Sequence, residues 1–140
     1  MSKIAIVYWS GTGNTEAMAQ AVKAGAEGAG AEAQLFSAAA FQAPMVSQFD
    51  AIAFGCSAMG SEELEDSEFE PMFTACEPAL KGKKIALFGS YGWGDGEWMR
   101  TWHDRCAKDG AVFAADDVTC CEAPDDAGKE ACAALGKALA

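Results

Sequence analysis

Hydrophobic positions along the chain alternate between two rhythms. Apolar or β-like runs at residues 4–9, 33–36, 51–56, 85–90 and, more briefly, 112–115 read as strands. Between them, apolar residues recur at helical spacing: Met18, Ala21, Val22 and Gly25, then Phe69, Met72, Phe73, Cys76 and Leu80. Trp98, Met99, Trp102 and Cys106 mark a third helix, and Ala131, Cys132, Leu135, Ala138 and Leu139 a fourth that starts near Asp126. The first helix is expected over residues 14–27, with the glycines at 25, 28 and 30 stopping it. Strands that are apolar on both faces, separated by amphipathic helices, predict a parallel sheet covered on both sides. Five such units give a doubly wound α/β fold with helices on both faces. Ligands of such sheets bind beyond the carboxyl ends of the strands, so the loops after the first, third and fourth strands hold the candidate chemistry.

Composition narrows this only a little. At 140 residues, with 51% hydrophobic and 22% charged, the chain is expected to be one domain over residues 1–140, without repeats or linkers. The early apolar run is far too short to cross a membrane, and no cleavable signal layout accompanies it, so a cytoplasmic protein is expected. Acidic residues outnumber Lys and Arg by 21 to 10, a net charge of -11, which disfavours nucleic acid and anionic membranes and favours basic partners. The six cysteines contain no C-x-x-C pair and read as reduced thiols, four of them on apolar faces. Cys120 and Cys121 with the lone His103 fall short of a metal site, and His103 is expected at the surface.

The loop "WSGTGNT" follows the first strand and opens the first helix, the layout of a phosphate seat at a helix N-terminus. It is neither a Walker loop, since no lysine lies between Lys3 and Lys23, nor a dinucleotide fingerprint, since Glu16 stands where the third glycine belongs. What it offers is neutral: the hydroxyls of Ser10, Thr12 and Thr15, the Asn14 amide and the N–H groups of Gly11, Gly13 and their neighbours. These predict a terminal phosphate monoester held without a cation. Its two charges would disfavour an electron added ~10 Å away by roughly 3 kcal/mol at an effective dielectric of ~20, and so suit a low-potential ligand. After the third strand, Met59-Gly60-Ser61-Glu62 reads as a tight turn whose glycine lets the following peptide point either way. Following the fourth, Trp93 stands between Gly92 and Gly94, where a large indole is expected to stack on a ligand.

Taken together, "YWSGTGNTEAMA", "GCSAMGSEELEDSEFEP" and "KKIALFGSYGWGDGEWMR" resemble the flavodoxins, in particular the short-chain members from anaerobic bacteria. That likeness covers the whole chain and weakens after about Ala111. It brings with it the strand order 2-1-3-4-5, which periodicity alone does not supply. It implies non-covalent FMN and a one-electron carrier working between the semiquinone and hydroquinone at low potential. The phosphate would lie on residues 10–15 with Ser57 adding a hydroxyl, and the flavin ring between Met59 and Trp93. The peptide after Gly60 would turn its carbonyl to the ring on one-electron reduction. Ala58, Ser61, Ser90 and the loop from Tyr91 to Gly94 would complete the cofactor contacts, with Glu62 near the pyrimidine edge and Glu122 a looser match.

Six carboxylates in the nine residues 62–70 stand beside the proposed flavin edge, and suggest docking of basic-surfaced redox partners such as reductases or ferredoxin-dependent enzymes. A monomer is expected. No nucleophile with a base and no acid–base pair is evident, so the chain reads as an electron carrier and not an enzyme. The alternative is an FMN-dependent NAD(P)H:quinone oxidoreductase on the same fold. A phospho-receiver domain is disfavoured, because it needs an acidic pair where this chain has Trp9 and Ser10.

Overall fold

A computed structural model describes residues 2–11, 13–59, 63–92 and 96–140. Six strands, β1 (Lys3–Trp9), β2 (Glu32–Ser37), β3 (Ala51–Cys56), β4 (Lys84–Tyr91), β5 (Val112–Phe113) and β6 (Val118–Cys121), form one sheet. Every pairing within it is parallel, and the order is β2-β1-β3-β4-β5 with β6 also on β4. Helices α1 (Asn14–Gly28) and α4 (Asp126–Leu139) cover one face; α2 (Phe69–Cys76) and α3 (Glu97–Lys108) cover the other.

The apolar runs of β1, β3 and β4 serve both layers because successive side chains point to opposite faces. Ile4, Ile6, Ala53 and Phe88 meet Met18 and Val22 of α1 and Leu135 of α4. Val7, Phe54 and Leu87 meet Phe69 and Phe73 of α2 and Trp98 and Trp102 of α3. Trp102 lies edge-on to both Phe69 and Phe73, at 5.3 and 5.8 Å.

Three expectations need correction. The fifth strand is not one run over 112–115: it ends at Phe113, and β6 continues along the same edge of β4 from Phe88 to Tyr91. The break is spanned by His103, whose ring stacks on Phe113 at 3.9 Å and whose Nδ1 lies 2.8 Å from Asp117 Oδ2. His103 is thus a packed, paired residue and not a free surface one. The Asp117 carboxyl is pushed above its ordinary range by burial, partly offset by His103. Finally, Gly25 does not stop α1; the chain turns at Gly30, which takes a φ of 92°. Gly25 sits inside the helix because Ala133 of α4 presses against it.

Candidate functional site

Where β1, β3, β4 and β6 end, their loops enclose a cavity of about 660 Å³, within the usual range for a small-molecule site. Its described lining is Trp9, Gly11 and Asn14 from the first loop, Ser57, Ala58 and Met59 from the second, Ser90, Tyr91 and Gly92 from the third, and Glu122 and Ala123 from the fourth. No lysine or arginine is among these residues. Thr12, Gly60, Ser61, Glu62, Trp93 and Gly94, all expected at the site, lie outside the described residues.

The first loop is built around backbone donors. Gly13 is the N-cap of α1 in a left-handed conformation, φ 92°, and has no side chain with which to close the first helical turn. The Ser10 hydroxyl accepts the Gly13 N–H at 3.0 Å and so folds the loop on itself. Ser10 lines a smaller cavity of about 250 Å³ on the far side of Trp9. A Cβ at Gly11 would stand 2.9 Å from the Trp9 ring, so a side chain there would have to displace the indole. Thr15 is fully buried, and its Oγ1 lies 2.7 Å from Ser57 Oγ, tying the first loop to the second. Neutral hydroxyls, an open helix start and the absence of a described cation fit a phosphate monoester better than a nucleotide polyphosphate.

In the second loop, the Ala58 N–H donates to the Ser90 carbonyl at 2.9 Å, and Met59 exchanges two backbone hydrogen bonds with Glu63, at 2.8 and 3.0 Å. The described ends of this loop are thereby paired across Met59 and Glu63. Met59 remains 37% exposed at the cavity rim, an apolar group that a ring would cover. Glu65 fixes the loop's far end. Its N–H donates to Cys56 Sγ, while its carboxylate accepts the N–H groups of Ser67, Glu68 and Phe69 and the Ser67 hydroxyl. Burial acts to raise the Glu65 pKa, but these four donors outweigh it and hold the carboxyl at about 2.

Sequence alone does not separate Glu65 from its acidic neighbours. Of the run's carboxylates, Glu65 closes the start of α2 and Glu70 is clasped by the Arg105 guanidinium at 2.7 and 2.8 Å. Glu63, Asp66 and Glu68 stay exposed. Glu65→Gln is expected to destabilise the fold by about 2–3 kcal/mol near neutral pH, because an amide cannot accept at both ends. The folded carboxyl titrates at about 2 against an ordinary 4.5, so its contribution is complete above 4.5 and vanishes as pH falls through that interval. Urea unfolding of both proteins should show the stability gap closing from pH 4.5 downward; a gap independent of pH would contradict this role.

Trp9, Glu122 and Ala123 are lining residues that the loop motifs did not place securely. Trp9 opens the first loop motif, but in sequence it reads as the last residue of an apolar strand, with no role in that loop. Glu122 adopts a left-handed backbone, φ 60°, a conformation that favours glycine or asparagine.

The family model described as flavodoxin matches residues 6–136. The flavodoxin of Megasphaera elsdenii is 50% identical over 137 residues, covering 98% of each chain. That of Clostridium beijerinckii is 42% identical over 135 residues, 96% of this chain and 97% of the other. The solution structure of two-electron reduced Megasphaera elsdenii flavodoxin superimposes with a TM-score of 0.90 at 49% identity, over 97% of both chains.

Proposed function

Because the chain belongs to the flavodoxin family, we propose that the cavity at the carboxyl ends of β1, β3, β4 and β6 seats FMN, and that the protein shuttles single electrons at low potential between redox enzymes. Proteins of this family are FMN-bound electron carriers, not enzymes, and this chain is one of them. The observation that carries the seating is the cavity's lining: hydroxyls and backbone donors without a described cation at one end, and Met59, Trp9 and Tyr91 around the remainder. Bound FMN supplies the ring that takes up and releases electrons. Ser57 and the start of α1 would hold its phosphate and Met59 would cover one face of the ring; Trp93, expected on the ring from the resemblance, lies outside the described residues.

Stepwise anaerobic reduction of the FMN-loaded protein, followed by its visible spectrum, tests this reading. Two separate one-electron steps are expected, with a distinct intermediate spectrum between them. Bleaching in a single two-electron step, or unaided oxidation of NAD(P)H, would favour the quinone oxidoreductase instead.

The partners are basic-surfaced redox proteins such as reductases and ferredoxin-dependent enzymes, met through the exposed carboxylates Glu63, Asp66 and Glu68. The same reading makes the protein a cytoplasmic monomer of one domain, and its net charge of -11 opposes self-association. Among the described residues no helix is long and apolar enough to cross a membrane. Association with such a partner is expected to slow roughly tenfold between ~0.01 and ~0.2 M salt, as screening removes the attraction. Stopped-flow reduction across that range measures it, and a flat profile would remove the acidic face from docking.

A further inference from the structure

Ser90 ends the buried part of β4 and is 4% exposed. Although it lines the cavity, its hydroxyl is already engaged: it donates to the Glu122 carbonyl at 2.8 Å. Its own carbonyl accepts the Ala58 N–H at 2.9 Å. One residue therefore ties together the second and fourth loops, both of which line the cavity. The Glu122 N–H in turn donates to the Tyr91 carbonyl at 2.7 Å. Glu122 is the one non-glycine with positive φ among the described residues. Such a backbone is disfavoured for a side chain of this length, and it persists only where neighbours over-determine it. The Ser90 hydroxyl and the Tyr91 carbonyl provide that restraint, one on each side of the Glu122 residue.

We propose that Ser90 is a positioning residue: its hydroxyl holds Glu122 in the left-handed conformation that shapes the cavity wall, and it acts on FMN affinity through that wall and not by contact. The inference rests on the FMN reading above, but the tie is made by protein atoms alone. Two consequences separate it from direct contact. Losing the hydroxyl matters only while residue 122 resists positive φ. Glycine at 122 removes that resistance, so the wall keeps its shape without the tie.

The test is a double-mutant cycle of Ser90→Ala and Glu122→Gly, read by FMN titration of the apoprotein and by amide hydrogen exchange at residues 121–123 without FMN. Ser90→Ala in the Glu122 background is expected to weaken FMN binding about tenfold, the order of a left-handed backbone penalty. In the Glu122→Gly background the same change should have less than a twofold effect. Exchange at residue 122 should accelerate at least tenfold in Ser90→Ala. Equal losses of affinity in both backgrounds would assign Ser90 to direct contact and overturn the proposal, as would unchanged exchange. Accelerated exchange in a protein whose wild type takes up no FMN would keep the tie and remove the cofactor reading.

Discussion

Replacing Gly136 with alanine is expected to destabilise the protein by about 3 kcal/mol or more, the upper range for overpacking a site that cannot relax. A Cβ at Gly136 would lie 2.0 Å from the Val22 carbonyl oxygen and 3.0 Å from the Ala26 nitrogen. On the same crossing, a Cβ at Gly25 would lie 2.0 Å from the Ala133 oxygen. Each helix thus contributes one glycine and receives the backbone of the other. The clashing atoms are main-chain atoms inside hydrogen-bonded helices, so relief requires moving a whole helix. Glycine to alanine inside a helix otherwise gains up to ~1 kcal/mol, which the clash must exceed for the prediction to hold. Gly28→Ala provides the contrast, since nothing lies within 4 Å of a Cβ there. Urea unfolding should find Gly28→Ala unchanged or stabilised and both Gly25→Ala and Gly136→Ala strongly destabilised. A mild effect at Gly136 would mean that the helices are not in backbone contact. The crossing also bears on function, because α1 carries Asn14 and Thr15 at its start.

The same pair shows what a linear pattern can and cannot convey. Gly25 is a glycine near the end of a helical period, and reads as a stop; that it accommodates Ala133 depends on a helix far along the chain. By contrast, β1, β3 and β4 were legible because burial on both faces demands continuous apolar runs, which few other structures need. The outer edge was not. β6 has alternating half-buried and exposed positions, V-T-C-C, and only its register with Phe88 to Tyr91 makes it a strand.

In the candidate site, the first loop was legible by its chemistry, since the lack of lysine and of a third glycine excluded the common nucleotide motifs. The structure brings Gly11, Asn14, Ser57, Ala58, Met59, Ser90, Tyr91 and Gly92 to one cavity and sets Thr15 behind Ser57. Trp9 and Glu122 were harder to read, because one looked like the end of a strand and the other gains its position from a backbone conformation. Glu65 was hidden by its neighbours: six acids in sequence look alike, and of the described ones folding buries Glu65 alone.

Ser57→Ala is expected to weaken FMN binding by about ten- to a hundredfold while leaving riboflavin binding unchanged. Ser57 lines the cavity, and Thr15 Oγ1 at 2.7 Å fixes the orientation of its hydroxyl. Of the two hydroxyl protons, one is spent within the pair, which leaves the other to be donated to a ligand anion. A hydrogen bond to a charged group contributes about 1.5–3 kcal/mol, and no described cation lines the cavity to compensate its loss. Thr15→Val should act in the same direction but less strongly, because the Ser57 hydroxyl remains and only its orientation is released. The double variant should lose less than the sum, as expected of two groups sharing one proton. Fluorescence titration of each apoprotein with FMN and with riboflavin measures all of this. The two ligands differ only in the phosphate, so a matching loss for both would place the hydroxyl pair against some other part of the cofactor. A loss confined to FMN would assign the charge of the phosphate to a seat made of neutral donors alone.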